Sequence, residues 1–593
     1  MNPQKTVYVG EPIKDISEKF EIFRGLKYLW RLKKTDHNLI KKVAYDYNLS
    51  FPISHVLASR GFIQKGQIDS FLFSSYEKDV FSPLLFKDLD LALSRINAAI
   101  DKKEKILIFG DYDVDGITST ALLLIALKPL GANINFYLPN RKKDGYGLSE
   151  KIVKQAYQNG YKLIITVDNG ISAINSAQLA YKLKVDLIIT DHHRPQDKLP
   201  HAVAIVDANQ KDCTYPYKDL AGVGVIFKLV SIIYQQRNLT LPEKVYELLM
   251  LGTVADVAPL LGENRYWVRY GLGKINKKRS LAIKVLAKNS NLNKKILDSL
   301  DIGFMIAPQL NALGRLDDPR DAVRFLVSSN TCEIEKIGDI LKNINETRKM
   351  LERKIFEDIE FAIFEKNINL ETENVIVAAN SQWPVGIIGL VAGKLMHNYG
   401  KPTLLFHLNK DGVLKGSCRS ILEFNIFDAL NENKELLINF GGHSFAAGLK
   451  LKKENLPKLK ERLEHKIVRE LAPEDLIPKI ELDAEIDLSE LKLNLLNDLC
   501  RLEPFGNKNE QPVFIIKNVT LLKAPMLLRE RHVKCVVFSQ GVIKPVIFFN
   551  RPDLYPILNN IGDKTFNIAA YISKSEWNEK INIELQGLDI ATQ

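Results

Sequence analysis

The chain has 593 residues, of which 46% are hydrophobic and 26% charged, and carries a formal net charge of +11. That length predicts three or four domains, each able to bury its own core, and the composition is that of a soluble globular protein. No apolar run is long enough to span a bilayer, which excludes helical membrane proteins, and the positive balance is compatible with a nucleic-acid partner. The five cysteines (Cys213, Cys332, Cys418, Cys500, Cys535) are scattered and never in CxxC spacing. They argue against a disulfide framework or a zinc ribbon and for a reducing cytoplasm. The N-terminal stretch MNPQKTVYVGEPIKD lacks a signal-peptide apolar core.

Residues 1–80 read as a basic arm followed by short helices, with ISHVLASRGF and QIDSFLFSSY carrying apolar residues at helical spacing. From about 85 to 210, apolar runs at 105–109, 134–138, 162–167, 185–190 and 202–206 alternate with helical stretches at 117–130, 149–159 and 172–184. Such alternation predicts a parallel, doubly wound sheet covered on both faces, with ligands beyond the carboxyl ends of its strands. Those ends are polar. The first carries Asp111, Asp113 and Asp115 in DYDVDG, and the second leads to Arg141. The third ends in Asp168-Asn169-Gly170 and the fourth in Asp191-His192-His193.

If the chain stays extended past Gly110, the three alternate aspartates share a face. Like charges held that close raise each other's pKa unless a cation sits among them. A polar turn and a hard-metal site both account for DYDVDG taken alone. Acids and histidines arriving at the same sheet edge from other strands tilt the reading to metal. Asp256 sits in an otherwise apolar helix, LGTVADVAPL (251–260), and a buried Asp there needs a cap, an Arg or a metal.

Residues 333–363 repeat apolar side chains at helical spacing, which predicts one continuous helix roughly 45 Å long, read as a strut between domains. A second α/β region follows, about 370–465, with Gly-rich segments WPVGIIG, KGSCRS and FGGHSFAAG. Consecutive glycines let backbone N–H groups approach a phosphate, and small-residue packing is the competing reading. From about 475 onward five β-rich stretches predict a small barrel of the oligonucleotide-binding type. Phe548 and Phe549 with Arg529, Arg531 and Lys534 form its candidate strand-binding face.

Two hard divalent ions roughly 3.5–4 Å apart suit phosphoester hydrolysis. Asp113, Asp115, Asp168, His192 and Asp256 supply the ligand count, and so oxygen-rich a set favours Mn²⁺ or Mg²⁺ over zinc. Neighbouring residues on a strand end face opposite ways. With His192 on metal, His193 is left to contact phosphate or assist the leaving group.

DYDVDG, TVDNGIS, TDHHRP and GTVADVAPL, in that order, resemble the four phosphoesterase motifs of the DHH superfamily. PNRKKDGYGLS, AGVGVIFKL, LNALGRLDDP, GSCRSI, FNIFDAL, FGGHSFAAGL and LEPFGNKNEQPVF are similar to segments of its RecJ branch, from about residue 50 to the end. The resemblance implies a multidomain α/β architecture: a helical region over 1–80, a parallel-sheet DHH domain over 81–330, and a connecting helix over 331–366. A DHH-associated α/β domain over 367–468 and an OB-fold nucleic-acid-binding domain over 469–593 complete it. It implies a 5′→3′ exonuclease that degrades single-stranded DNA to 5′-mononucleotides in recombination and repair. The implied enzyme is a cytoplasmic monomer that uses two Mn²⁺ or Mg²⁺ ions, with a helicase and a single-strand binding protein as partners by family role.

By the same resemblance Asp113, Asp115, Asp168, His192 and Asp256 align with metal ligands, with Asp168 as the bridge. Asp111, His193 and His443 fall in the catalytic shell around the phosphates. Arg141, Arg315, Ser417 and Arg419 map to a 5′-phosphate pocket, with Asn311 and Gly442 among the DNA contacts. The chain departs from the family pattern at Pro384, where a histidine is common, and at Gln309, where an arginine is. It also departs at Cys418, Lys508 and Glu510. The rival readings are a DHH phosphodiesterase of short oligoribonucleotides or cyclic dinucleotides, which would not need residues 475–593, and a catalytically dead DNA-binding scaffold, which would not keep every motif acid.

Overall fold

The structure, a computed structural model, describes residues 19–140, 145, 147–577 and 580–592. The chain divides into two compact units, one built from Asp69–Lys349 with Leu502–Glu510, the other from residues up to Ile68 with Met350–Arg501 and Gln511–Gln593. Among the described residues no helix is long and apolar enough to cross a membrane.

The N-terminal region differs from its reading as arm and helices. Strands β1 (Phe20–Arg24) and β2 (Leu29–Lys33) form an antiparallel hairpin ahead of the helices. Trp30 anchors it: the indole is buried and its Nε1 donates to Asp589 Oδ2 at 3.1 Å. Five residues of mixed polarity leave too short a pattern to separate strand from coil, and the partners that stabilise the hairpin lie more than 400 residues away.

In the first unit, β3 (Lys105–Gly110), β4 (Asn133–Tyr137), β5 (Leu163–Val167), β6 (Asp186–Thr190) and β7 (Ala204–Val206) form one parallel sheet in the order β4-β3-β5-β6-β7. Alternate side chains serve opposite faces, as the strand period of two requires. Ile106, Ile108, Leu163, Ile165 and Ile188 pack against one helical layer, and Leu107, Phe109, Ile164, Leu187 and Ile189 belong to the core on the other side. The first layer holds α1 (Val114–Leu127), α2 (Gly222–Gln236) and α3 (Lys244–Ala255), all strongly apolar and nearly all buried. A π-helical turn, Ile302–Ile306, leads directly into α4 (Ala307–Leu316).

Helix α5 (Thr331–Phe364) is a single 34-residue element that runs through the unit boundary. In the second unit, β8 (Ile376–Asn380), β9 (Thr403–Leu408), β10 (Val413–Arg419), β11 (Leu437–His443) and β12 (Ala446–Lys452) make a mixed sheet in the order β11-β12-β10-β9-β8. Between its first two strands runs α6 (Val385–Tyr399), with Pro384 at its N-cap.

The same unit continues with β13 (Lys479–Leu482), which pairs with β2, and β14 (Ala484–Glu485). Then come β15 (Val513–Leu528), β16 (His532–Ser539), β17 (Val542–Phe548), β18 (Phe566–Trp577) and β19 (Lys580–Thr592). Strand β15 pairs with both β16 and β18, and β17 and β18 both pair with β19, so five strands close into a barrel without a free edge. Phe548 is buried in the barrel core rather than on a binding face, whereas Phe549 is exposed with its ring beside that of His532.

Candidate metal centre

Numbered within its own domain, the parallel sheet has strand order 2-1-3-4-5. The order reverses between β3 and β5, and such a switch point opens a crevice at the carboxyl ends of the strands. Asp111, Asp113 and Asp115 follow β3, Asp168 follows β5, and His192 and His193 follow β6. The fold thus brings them to one edge.

The chain does not stay extended past Gly110, and the shared-face arrangement of the three aspartates gives way to a strand-to-helix turn. Asp113 is the N-cap of α1 and accepts from Gly116 N at 3.0 Å, and Asp115 falls in the first helical turn. The turn deals the aspartates into different groups. Asp111, Asp113 and Asp168 form one set, Asp115, His192 and Asp256 a second, and Asp168, His192 and His193 a third, with ligand atoms in each set within 4.8 Å of one another. Asp168 and His192 each belong to two sets.

Each group is held from behind. Both carboxylate oxygens of Asp115 accept backbone N–H groups from the start of α2, Gly222 N at 2.6 Å and Val223 N at 2.8 Å. A helix N-terminus holds an anion in just this way. Space there is tight. A Cβ on Gly222 would lie 2.7 Å from Asp168 Cβ and 3.0 Å from Asp115 Oδ2. Asp168 adopts φ +61°, the left-handed region that Asp and Asn tolerate best among non-glycine residues. Asn169 braces that turn, donating to the carbonyls of Val167 at 2.9 Å and Phe109 at 3.3 Å.

Asp256 does not sit mid-helix. It is the C-cap of α3, followed by Val257 at φ +58°. A carboxylate at the negative end of a helix dipole is unfavourable for the helix, so ordinary capping does not explain it.

Electrostatics sharpen the picture. Burial, then the charge of Asp113, pushes Asp115 up to about 7. Burial and the surrounding aspartates hold Asp168 and Asp256 well above the usual carboxylate range. Burial, with the neighbouring His193, lowers His192 to about 4 and so keeps it neutral. Its Nε2 lies 3.1 Å from Asp168 Oδ1 and 3.9 Å from Asp115 Oδ2, yet this buried atom makes no hydrogen bond. A neutral imidazole nitrogen with a free lone pair, facing crowded carboxylates, is a donor set for a divalent cation. The residues fit a hard metal.

His193 behaves oppositely. Burial alone would lower it, but its Nδ1 lies 2.7 Å from Asp191 Oδ1, and that pairing raises it to about 9. The buried Asp191 also accepts from the backbone N–H groups of Ile171, His192 and His193, at 2.9, 2.8 and 3.1 Å. It thereby ties the ends of β5 and β6 together.

The remaining candidates divide between the units. Asn311 and Arg315 lie on α4, whose Gly314 abuts the Tyr112 carbonyl so closely that a Cβ would collide with it. Gln309, which stands where the family commonly has an arginine, is buried. Its Nε2 donates to Leu286 O, Ser290 Oγ and Met305 O at 2.8, 2.7 and 2.9 Å, and so serves packing. Arg141 lies outside the described residues.

In the second unit the Gly-rich segments KGSCRS and FGGHSFAAG are sheet strands rather than phosphate-cradling loops. Arg419 on β10, Ala446 on β12 and His443 on β11 lie in one row, and Ser417, Gly448 and Gly441 in the next row on the same face. Small residues therefore leave a cleared strip between Arg419 with Ser417 and His443. Arg419 Nη1 donates to Ser417 Oγ at 3.2 Å and to Cys418 O at 2.7 Å. Gly442 falls on the register of Cys418 and Ala447, both buried. Burial raises Cys418 to about 12, which keeps its thiol unreactive.

Sequence reasoning did not assign a role to Asp191 or to the Gly222 and Val223 amides. The only signal for the latter was GVG opening an apolar helix, and backbone donors leave no side-chain signature.

Residues 105–253 match the DHH family, N-terminal domain, residues 372–469 the DHHA1 domain, and residues 482–589 the RecJ OB domain. The single-stranded-DNA-specific exonuclease RecJ of Bacillus subtilis is 33% identical over 567 residues, covering 95% of this chain and 71% of that protein. RecJ of Escherichia coli is 34% identical over 473 residues, covering 76% and 81%. The crystal structure of RecJ in complex with Mn²⁺ from Thermus thermophilus is 26% identical with a TM-score of 0.80, covering 95% of this chain and 79% of that one.

Proposed function

The chain belongs to the RecJ family of single-stranded-DNA-specific exonucleases, and from that premise we propose that it hydrolyses single-stranded DNA from the 5′ end, releasing 5′-mononucleotides. The observation that carries this reading is the trio of ligand sets linked pairwise through Asp168 and His192 at the sheet's switch point. Asp113, Asp115, Asp168, His192 and Asp256 would hold two Mn²⁺ or Mg²⁺ ions, with Asp168 between them. When bound, such ions activate water and neutralise charge on the phosphoryl oxygens.

The chain's own groups do the rest. Asp191 keeps His193 protonated, and a cationic imidazole can stabilise a phosphoryl oxygen or protonate the leaving 3′-oxygen. Asp111 supports the turn, its Oδ1 accepting from Tyr112 N at 2.7 Å. Direction along a strand requires a group that recognises its terminus. Arg419, Ser417 and His443 flank the cleared strip on one sheet face, and a guanidinium fork suits a terminal phosphate dianion. Arg315, Asn311, Arg141 and Gly442 complete the proposed DNA contacts. The barrel adds a second single-strand surface. A phosphodiesterase of short oligoribonucleotides or cyclic dinucleotides needs only the two α/β domains, so the barrel speaks against it. Under this reading the enzyme is a cytoplasmic monomer that follows a helicase and meets strands coated by single-strand binding protein.

The deciding experiment digests 5′-labelled and 3′-labelled single-stranded DNA with Mn²⁺ or Mg²⁺, with EDTA as control. Immediate release of labelled mononucleotide from the 5′ label, abolished by EDTA, is expected. Immediate release from the 3′ label, or equal attack on duplex DNA, refutes the reading.

A further inference from the structure

The π-helical turn Ile302–Ile306 and helix α4 share one stripe on which Phe304 is exposed and Pro308, Asn311 and Arg315 are half-buried. Phe304, Pro308, Asn311 and Arg315 recur at i, i+4, i+7 and i+11, and residues 306, 307, 309, 310, 312, 313 and 314 between them are buried. Such spacing puts the four on a single face. Phe304 heads the stripe and is 75% exposed.

A lone exposed phenylalanine needs no explanation by itself. This one stands on a fixed backbone. Met305 O accepts from Gln309 Nε2 at 2.9 Å and from Ser290 Oγ at 2.8 Å, immediately after it. Gly303, immediately before it, neighbours Val254: a Cβ there would lie 3.5 Å from Val254 Cγ1, ordinary van der Waals contact. Val254 belongs to the last turn of α3, two residues before Asp256. The ring is thus unpacked while its main chain is held beside the metal-binding helix end. Short π-helical turns of this kind concentrate at functional sites.

We propose that Phe304 is a stacking platform for a base of the single-stranded substrate, on the stripe that Asn311 and Arg315 continue along the strand's phosphates. The inference rests on the exonuclease reading and adds a contact to it. From Phe304 to Asn311 the helical rise covers roughly 10 Å, about three steps of a stacked strand. An aromatic platform followed by amide and guanidinium donors matches the alternation of base and phosphate, and a ring accepts any base.

The test compares wild type with F304A, F304L and F304W on single-stranded oligonucleotides, intact or with one abasic residue moved stepwise from the 5′ end. F304A should raise KM about tenfold, within the range that base–aromatic stacking gives, with kcat changed by less than about twofold. F304W should recover the affinity and F304L should not, because stacking needs a ring. With the abasic residue at the stacked position, wild type should fall to the level of F304A and the variant should lose nothing more. Mn²⁺ affinity and melting temperature should not move.

An unchanged KM in F304A, full recovery by F304L, or a penalty undiminished at every abasic position overturns the proposal. Titration of labelled oligonucleotide in EDTA separates this from the exonuclease reading. A wild type that binds but never degrades the strand sinks that reading, while weaker binding by F304A still supports the platform and equal binding refutes it.

Discussion

Asp168→Asn is expected to abolish nuclease activity and, in the absence of metal, to make the protein more stable. Asparagine has the shape of aspartate and tolerates the φ of +61° found at this position, so the backbone can stay in place. His192 is neutral, being lowered to about 4, so no ion pair is lost. Asp115 gauges the electrostatic burden on a carboxylate here: burial and Asp113 lift it from 3.8 to about 7. At about 1.4 kcal/mol per unit, ionising that one group in the metal-free fold costs on the order of 4 kcal/mol.

Asp168 is raised for the same reasons, by burial and then by Asp115, Asp113, Asp111 and Asp256. Removing its charge should therefore stabilise the metal-free protein by roughly 1–4 kcal/mol at pH 8 and lift the transition of its unit by roughly 2–10 °C. The sign follows from linkage. An acid with a raised folded pKa costs nothing below its unfolded value, and its full penalty appears only above the folded one. The gain should be absent near pH 4 and grow toward pH 8. Calorimetry of both proteins in EDTA across this range measures it. With Mn²⁺ the order should reverse, because only wild type gains binding energy. A variant less stable than wild type in EDTA at pH 8, or a gain independent of pH, would refute charge crowding as the organising feature of the site.

Gly222→Ala should weaken Mn²⁺ binding by about tenfold or more for a destabilisation of about 1–3 kcal/mol, because its Cβ would press on Asp168 and Asp115; an unchanged Mn²⁺ titration would show that the contact relaxes freely. Asp191→Asn should bring the His193 pKa down from about 9 toward the ordinary histidine value. Activity is then expected to fall off at lower pH in the variant than in wild type, and coincident pH–rate profiles would remove His193 charge from the mechanism. Arg419→Ala should slow digestion of 5′-phosphorylated strands by about 10- to 100-fold, the worth of charge-assisted hydrogen bonds, with little effect on 5′-hydroxyl strands. Equal loss on both ends would argue against a terminal-phosphate pocket.

The five strands of the parallel sheet were legible to within a residue or two, since apolar runs have few alternatives once helices alternate with them. Helix α5 was equally legible from its period. The hairpin around Trp30 was not, because its stability comes from Asp589 and from β13, at the far end of the chain. The two readings of the Gly-rich segments could not be separated for a related reason. Glycine next to glycine marks close approach, and only the register shows that the approach in β10, β11 and β12 is strand to strand. The packing role of Gln309 was not legible either, because burial of a polar side chain depends on neighbours such as Ser290 and Leu286 that periodicity does not name.

The aspartates and histidines that could hold metal, and the chemistry such a set supports, are properties of the sequence itself, since a carboxylate brings its charge wherever the chain carries it. Their division is not. A strand order that reverses between β3 and β5, a helix that begins at Asp113, and the amides of Gly222 and Val223 sort DYDVDG into two ligand groups. They also leave the lone pair of His192 Nε2 facing both. Distances between groups brought in by separate elements are set by packing, and a linear order of residues contains no such distances.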